Sequence, residues 1–466
     1  MRKEVKELRK ENKRLREVNS LLVKENEELR RRLNLRSHNS SKPPSSDPLW
    51  ERAQRPVKAK SKNRKRGGQL GHKGSNLKKF TQIDFLKEHT YDTCPYCQSN
   101  KLLLKGIKTR QVLDIPRPKM EVTEHRFYEY QCLNCCATIL NDKIQDYKQS
   151  VQYGPNIKSF VNYLNVYQLL PYKRLVAMIK DLFGHKISQG SISNFNSELS
   201  TKLKGFIAEL KNYFIQPDKV FHSDETGCMV GKQNYWLHVY CDQNKTLLQG
   251  HRSRGTKAMN EIGILDKAQG TVVHDRYMSY PSYKEVGHAL CNAHILRDLK
   301  GVEENAKCKW AIQIKSILLK AKSYKTNDKL SSKRKARLQK EYENILRSQR
   351  KYYQTKEEEL KLQHPKKRPK RSTDHNLYIA LWKYKHEILK FMYHKEIPFD
   401  NNQAERDLRM FKVKMKISSL FQSPYWLEVN ANIRSFISTI VKNEGNVLES
   451  IQQVYNDEMF AKNMAV

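Results

Sequence analysis

Three acids in this chain are placed where carboxylates can gather. Asp224 closes the apolar run of Val220-Phe221-His222-Ser223-Asp224-Glu225-Thr226-Gly227, and Asp275 closes Thr271-Val272-Val273-His274-Asp275. Glu405 lies in Asn401-Asn402-Gln403-Ala404-Glu405-Arg406, where Asp400, Asn401 or Asn402 can cap a helix and put Glu405 in its first turns. Drawn to one point, three carboxylates make a hard oxygen site for Mg²⁺, or Mn²⁺ in its place. Such ions serve enzymes that cut phosphodiesters. In a two-ion site Asp224 would touch both ions, and Asp275 and Glu405 one each. One ion then activates water or a 3′-hydroxyl, and the other stabilises the leaving 3′ oxygen. Taken singly, each acid is ordinary: an Asp at a strand end is usually a turn or cap residue. Nearby acids fit less well. Glu225 should point to the opposite face of a strand from Asp224, and Asp407, two positions from Glu405, should face away on a helix. His222 and His274 read as packed or hydrogen-bonded side chains.

A second constellation is made of cysteines. The chain has 9, and four form the Cys-x-x-Cys pairs Cys94/Cys97 and Cys132/Cys135. In a reducing compartment that spacing reads as one tetrahedral Zn²⁺ before it reads as disulfides. Four thiolates close the site, so this zinc is structural. Cys136 follows Cys135 directly and leaves the fourth ligand open between the two. The β-type runs Val112-Leu113-Asp114-Ile115 and Phe127-Tyr128-Glu129-Tyr130 predict a small β ribbon around the ion.

The acids need elements to hold them. Val220-Phe221-His222 reads as a short strand ending in Asp224, and Thr271-Val272-Val273 as a buried strand ending in Asp275. Between them, Tyr235–Tyr240 and Lys245–Gln249 flank the turn Cys241-Asp242-Gln243-Asn244 and predict a hairpin. Lys257 to Ile264 predicts a helix, His288-Ala289-Leu290-Cys291 a further apolar run, and residues 300–390 a long helical stretch. That stretch is broken by the basic run Pro365-Lys366-Lys367-Arg368-Pro369-Lys370-Arg371. Ile433–Val441 and Val447–Val454 predict closing helices. Earlier, residues 155–215 show helical apolar faces, with a break at Gly184 and a cap at Ser188. Helix, glycine turn, helix is compatible with a helix-turn-helix.

Charge names the partner. The 466 residues hold 88 Lys+Arg against 49 Asp+Glu, a net charge of +39. Such an excess repels itself unless a polyanion neutralises it, so nucleic acid comes first and a membrane surface second. No apolar stretch approaches the roughly 18–20 residues that span a bilayer. The first residues carry no apolar core segment, so a cytoplasmic, nucleoid-associated location is expected. From Arg52 to Lys79 the chain is overwhelmingly basic. Its Lys62, Arg64, Lys65, Arg66 and Lys73, with Arg406, Lys412 and Lys414 near the third acid, are the candidate phosphate contacts. Residues 37–48, polar and proline-broken, read as a linker without burial to order it. Upstream, Leu8, Leu15, Leu22 and Leu29 recur every seven residues, with Val5, Asn12, Asn19 and Asn26 three before each. That is a heptad with Leu at d and mostly Asn at a, the pattern of a short dimerisation coiled coil.

Read together, several of these motifs resemble those of one family. They are Asn39-Ser40-Ser41-Lys42-Pro43-Pro44-Ser45-Ser46-Asp47, Gly68-Gln69-Leu70-Gly71-His72-Lys73-Gly74, the cysteine pairs, Tyr153-Gly154-Pro155-Asn156, Tyr167-Gln168-Leu169-Leu170-Pro171-Tyr172, Asp224-Glu225-Thr226-Gly227, His274-Asp275-Arg276, Cys291-Asn292-Ala293-His294 and the Asn401–Arg406 stretch. In this order they resemble the bacterial transposases of the insertion sequence sixty-six family. The resemblance implies a ribonuclease-H-like α/β core with a helical insertion before the last acid. It implies a DDE triad of Asp224, Asp275 and Glu405, cleaving and joining DNA at the element's terminal repeats and in target DNA. Cys291 and His294 resemble a Cys-x-x-His pair that buttresses the fold near the metals.

The expected fold is multidomain α+β. Residues 1–36 form the coiled-coil helix and 37–89 a disordered basic arm. Residues 90–145 form the zinc ribbon, and 150–215 a helical DNA-binding region. The core runs over 216–299 and 399–466, with the insertion at 300–398 between. A homodimer or higher oligomer and accessory proteins from the same element are the expected protein partners. Two other classes fit parts of this pattern. A non-catalytic DNA-binding regulator needs no acid triad. Another ribonuclease-H-like nuclease, such as a junction resolvase, cuts without joining to a target.

Overall fold

A computed structural model describes residues 2–33, 36–40, 47, 77–363 and 371–464. Most of the basic arm, including Lys62, Arg64, Lys65, Arg66 and Lys73, lies outside these residues, as does Pro365–Lys370 of the basic run. The chain divides into two units. One holds residues 1–47, 123–181 and 185–466; the other holds 48–122 and 182–184.

In the larger unit the chain opens with helix α1 (Arg2–Leu33). A two-stranded antiparallel ribbon follows, β1 (Glu129–Gln131) with β2 (Thr138–Leu140). Next come helices α2 (Pro155–Asn162), α3 (Tyr172–Phe183), α4 (Gln189–Lys202) and α5 (Lys204–Phe214). As expected, Ser188 caps α4, its Oγ accepting from Ser191 N at 2.9 Å. Gly184 supplies a left-handed turn at φ 69° between α3 and α4.

The sheet comes next: β3 (Val220–Val230), β4 (Gln233–Cys241), β5 (Thr246–His251), the short helix α6 (Thr256–Ile262), β6 (Thr271–His274) and β7 (Gly287–Leu290). Its order is β5-β4-β3-β6-β7. The β3–β4 and β4–β5 pairs are antiparallel, and β3–β6 and β6–β7 are parallel. The predicted β4–β5 hairpin is present, with Asp242 Oδ1 accepting from Asn244 N at 2.8 Å and Lys245 N at 2.7 Å. One expectation is corrected. β3 does not end at Asp224 but continues to Val230, because Ser223 to Val230 pair with β4 after the β6 pairing stops at His222.

Among the described residues, seven helices run from the sheet to the third acid: α7 (Asn292–Ala306), α8 (Lys309–Thr326), α9 (Ser332–Ser348), α10 (Arg350–Gln363), α11 (Thr373–Lys383), α12 (Lys385–Tyr393) and α13 (Asn402–Ser418). Helices α14 (Pro424–Lys442), α15 (Val447–Asn456) and α16 (Glu458–Asn463) close the chain.

Alternation along the strands sorts the packing. On β4, Leu237, Val239 and Cys241 join Cys228, Val230, Leu248 and Ala404, Leu408 and Phe411 of α13 in one buried cluster. Tyr240, Phe221 and Val272 belong to the cluster on the other face, with Phe206 and Leu210 of α5 and Ile433, Phe436 and Ile440 of α14. A third cluster, with Trp310, Ile314, Leu338, Tyr342 and Leu381, is the core of the helical stretch itself. The free edge of the sheet is covered. Leu248 N donates to Ser435 Oγ at 2.8 Å and Thr246 N to Thr439 Oγ1 at 3.2 Å, so hydroxyls of α14 satisfy two outward amides of β5. Gly250 makes this approach possible: a Cβ there would meet Leu427 at 2.6 Å.

The stretch read as linker is built in at three described positions, where Ser37, Asn39 and Asp47 are buried. In the smaller unit, Val112–Ile115 form no strand and are exposed. Gln111 instead ties that segment to Phe80, accepting from Phe80 N at 2.8 Å and donating to Phe80 O at 2.9 Å.

Candidate active site

The parallel register brings the first two acids side by side. His222 pairs with Val273 across β3 and β6, an offset of 51 residues. The same offset separates Asp224 from Asp275, so each acid lies two residues beyond a paired position on neighbouring strands. Adjacent strands run about 4.8 Å apart. On β3, Asp224 shares its face with Cys228 and Val230, which pack against α13. That helix carries Glu405 in its first turn. Glu225 takes the other face, where its carboxylate accepts from Tyr280 Oη at 2.5 Å and meets Arg254 Nε at 3.3 Å. The Arg254 guanidinium lies 5.0 Å over the Trp236 ring and 4.0 Å over that of Tyr277. Asp407 also points elsewhere, pairing with Lys442 at 2.5 Å and Thr246 Oγ1 at 2.8 Å.

Electrostatics ties the three acids together. Burial, then the charge of Asp275 and more weakly that of Glu405, push the Asp224 carboxyl up to about 7. The Glu225 amide, donating to Asp224 Oδ1 at 2.8 Å, and the Lys412 charge oppose this without cancelling it. Burial also lifts Glu225 to about 7, with Asp224 and Asp275 adding to it. Asp275 Oδ1 accepts from Tyr277 N at 2.8 Å. Glu405 Oε1 lies 3.8 Å from Arg297 Nη2 and 4.0 Å from His294 Nε2. Nδ1 of His294 is buried with no hydrogen-bond partner among the described residues. A hard-oxygen cluster with undercompensated negative charge fits a divalent cation in its donor chemistry. Even so, among the described residues no three His, Cys, Asp or Glu side chains gather closely enough to hold a metal ion.

Asn401 locks the acid-bearing elements to one another, and the sequence did not disclose this. It precedes α13 and was legible only as a cap. Its side chain makes no cap bond. Instead Nδ2 donates to Ser223 O at 2.8 Å, and Oδ1 meets His222 Nδ1 at 2.8 Å. Its backbone N donates to Cys291 Sγ at 3.1 Å. One residue thus fixes the start of α13 to β3, beside Asp224, and to the start of α7. Arg297 was also missed; its signal is the i, i+3 spacing from His294 on α7. Of the other basic candidates, Arg406 is exposed and bonded to Gln403. Lys412 is exposed within the field of Asp224. Lys414 is half-buried beside the Phe421 ring.

Each cysteine pair forms the same local turn. Cys94 N donates to Ser99 O and Gln98 N to Cys94 O, both at 2.8 Å. Cys132 N donates to Ala137 O at 2.9 Å and Cys136 N to Cys132 O at 2.8 Å. Gln98 and Cys136 both take left-handed φ, 60° and 55°. Cys136 is therefore the counterpart of Gln98, a turn residue, and Cys135 is the counterpart of Cys97. Backbone amides of Cys97 and Tyr96 hold the Cys94 thiol below its ordinary value, and those of Cys135 and Asn134 do the same for Cys132. Lowered thiols and inward amides suit a thiolate-bound metal. The second turn is the loop of the β1–β2 hairpin.

A family model described as Transposase IS66 family matches residues 150–426. Another, described as the zinc-finger binding domain of transposase IS66, matches residues 92–136. Residues 1–78 match a family of unknown function. No curated protein matches the chain.

Proposed function

Because the chain belongs to the IS66 transposase family, we propose that it cleaves and joins DNA at the ends of an insertion sequence through Asp224, Asp275 and Glu405. The observation that carries this reading is the register of β3 with β6, which sets Asp224 and Asp275 at one offset on neighbouring strands, with Glu405 in the first turn of the helix packed on β3. The mixed sheet, three antiparallel strands continued by two parallel ones, supports a ribonuclease-H-like core. The helices α8 to α12 then stand as its insertion before the last acid.

Asp224 would hold both of two Mg²⁺ or Mn²⁺ ions, and Asp275 and Glu405 one each; such ions supply activation of the attacking oxygen and neutralisation of the leaving one. The chain's own groups orient this set. Asn401 fixes α13 against β3. Arg297 and His294 restrain the Glu405 carboxylate from α7. Lys412, Arg406 and Lys414 offer phosphate contacts on the same helix. Before that step, Lys62, Arg64, Lys65, Arg66 and Lys73 of the arm track the DNA backbone. The thiolates of Cys94, Cys97, Cys132 and Cys135 hold one structural Zn²⁺. The boundaries drawn from the sequence, with 216–299 and 399–466 as the core and 300–398 as the insertion, are part of this proposal.

The test is Mg²⁺-dependent cleavage of terminal-repeat DNA, followed by strand joining to a second duplex. A regulator would bind that DNA and leave it intact, and a resolvase-type nuclease would cut without joining. Asp224→Asn, Asp275→Asn and Glu405→Gln should each abolish cleavage while binding persists. Wild-type cleavage by any of the three would remove that acid from the site.

A further inference from the structure

Helix α7 has a second use beyond its contacts to Glu405. His294, Arg297, Gly301 and Glu304 are spaced three, four and three residues apart, so they form one stripe along the helix. At 1.5 Å per residue, His294 and Gly301 are about 10 Å apart along it. The first half of the stripe faces Glu405. The second half receives residues from the N-terminal region.

Asn39 sits on this second half and is buried. Its Nδ2 donates to Glu304 Oε2 at 2.6 Å, and its Oδ1 accepts from Arg36 N at 2.7 Å. Asn39 N donates to Arg36 O at 3.2 Å, closing a compact turn. Ser37 N donates to Asp47 Oδ1 at 2.9 Å, and Ser37 Oγ donates to Asp47 Oδ2 at 2.5 Å, both buried. The seat is shaped for backbone. A Cβ on Gly301 would lie 2.1 Å from Asn39 O. Glycine is a poor choice inside a helix, so close approach is the reason for it here. Asn39 is matched to its seat as well. Only a side chain with both donor and acceptor can bond Glu304 and the Arg36 amide together.

We propose that residues 36–40 with Asp47 are a docking clip for α7, fixing where the chain leaves the catalytic core to enter the basic arm. The inference rests on the proposed function in one respect: the arm and the acid cluster are taken to act on the same DNA. The clip then starts the arm on the same helix stripe that restrains Glu405. DNA gathered by the arm is thereby tethered, through the chain itself, to the helix that restrains Glu405.

Hydrogen exchange of the full-length protein, read by mass spectrometry, tests the clip without relying on activity. In the wild type, the amides of residues 36–40 and of Asp47 should exchange at least about tenfold more slowly than an unstructured chain. Gly301→Ala should remove that protection, although alanine favours the helix. Asn39→Asp, which puts a second carboxylate against Glu304, should do the same from outside the core. Peptides of β3, β6 and β7 should keep wild-type rates in both. Cleavage by either variant should fall while binding to DNA at matched salt is retained. A wild-type segment that exchanges as unstructured chain overturns the clip. So does a segment unchanged in Asn39→Asp, whatever Gly301→Ala does to folding. A wild type that protects the segment but cuts no DNA leaves the clip standing and overturns the nuclease reading.

Discussion

Both ends of the Asn401 amide are used inside the core, which makes this residue a sharper probe of the site than the acids themselves. Asn401→Ala strands Ser223 O and His222 Nδ1, costing about 1–3 kcal/mol. It also frees the first turn of α13. Cleavage should therefore fall by more than the stability loss explains, as read by single-turnover rates beside denaturant melts. Retained wild-type rates would reduce Asn401 to a packing residue. A second prediction follows from charge. Asp224 and Glu225 are each raised to about 7 from carboxylate values near 4. Folded pKa values above the unfolded ones mean that their protonation favours the folded state. That contribution is complete below about pH 4 and is lost as pH rises through about 7. Without divalent ions, the melting temperature should fall from pH 5 to pH 8, and less so in Asp224→Asn. Mg²⁺ at pH 8 should restore part of the wild-type loss, and a flat profile in both proteins would sink the account. Asp224, Asp275 and Glu405 could be singled out as candidates because each follows an apolar run or starts a helix. Asn401, Arg297 and Arg254 could not, because their partners are distant in sequence and leave no periodic trace.

At the scale of elements, strands and helices were read well where local pattern decides. The β4–β5 hairpin, the Ser188 cap and the start of α13 are examples. What failed was decided by tertiary pairing. β3 runs past Asp224 because β4 takes over from β6 as its partner. The Val112–Ile115 run pairs with nothing among the described residues, although its composition is that of a strand. Asn39 is buried because Gly301, far along the chain, leaves it a seat. The cysteine turns sharpen the zinc prediction beyond what spacing allowed. Elemental analysis should find one Zn²⁺ per chain, lost in Cys94→Ser and kept in Cys136→Ser. Loss in both would return the fourth ligand to Cys136. Packing of α14 on the sheet edge gives a further test. Ser435→Ala leaves the Leu248 amide unpaired and should cost about 1–3 kcal/mol in denaturant unfolding. A change near zero would mean that water replaces the hydroxyl.

For the whole molecule, charge and assembly are the open quantities. With a net charge of +39, DNA affinity should fall steeply with salt. Replacing Lys62, Arg64, Lys65, Arg66 and Lys73 by Ala should lower the log–log salt slope by up to about 4–5 if each meets a phosphate. An unchanged slope would take the arm off the DNA. Leu15, Leu22 and Leu29 of α1 are 55%, 50% and 48% exposed. They are the seam expected of a coiled coil, and light scattering should show a smaller species when all three become Lys. Among the described residues no helix is long and apolar enough to cross a membrane. The cover over β5 carries one more consequence. The strand begins at Thr246 and its lid at Pro424, so a ribosome delivers the two far apart in time. At about 5–20 residues per second the gap is roughly ten to forty seconds. For that interval the nascent chain exposes a bare, sticky strand, and a reading frame truncated after Glu405 would leave it bare for good, with every acid present and a protein prone to clump.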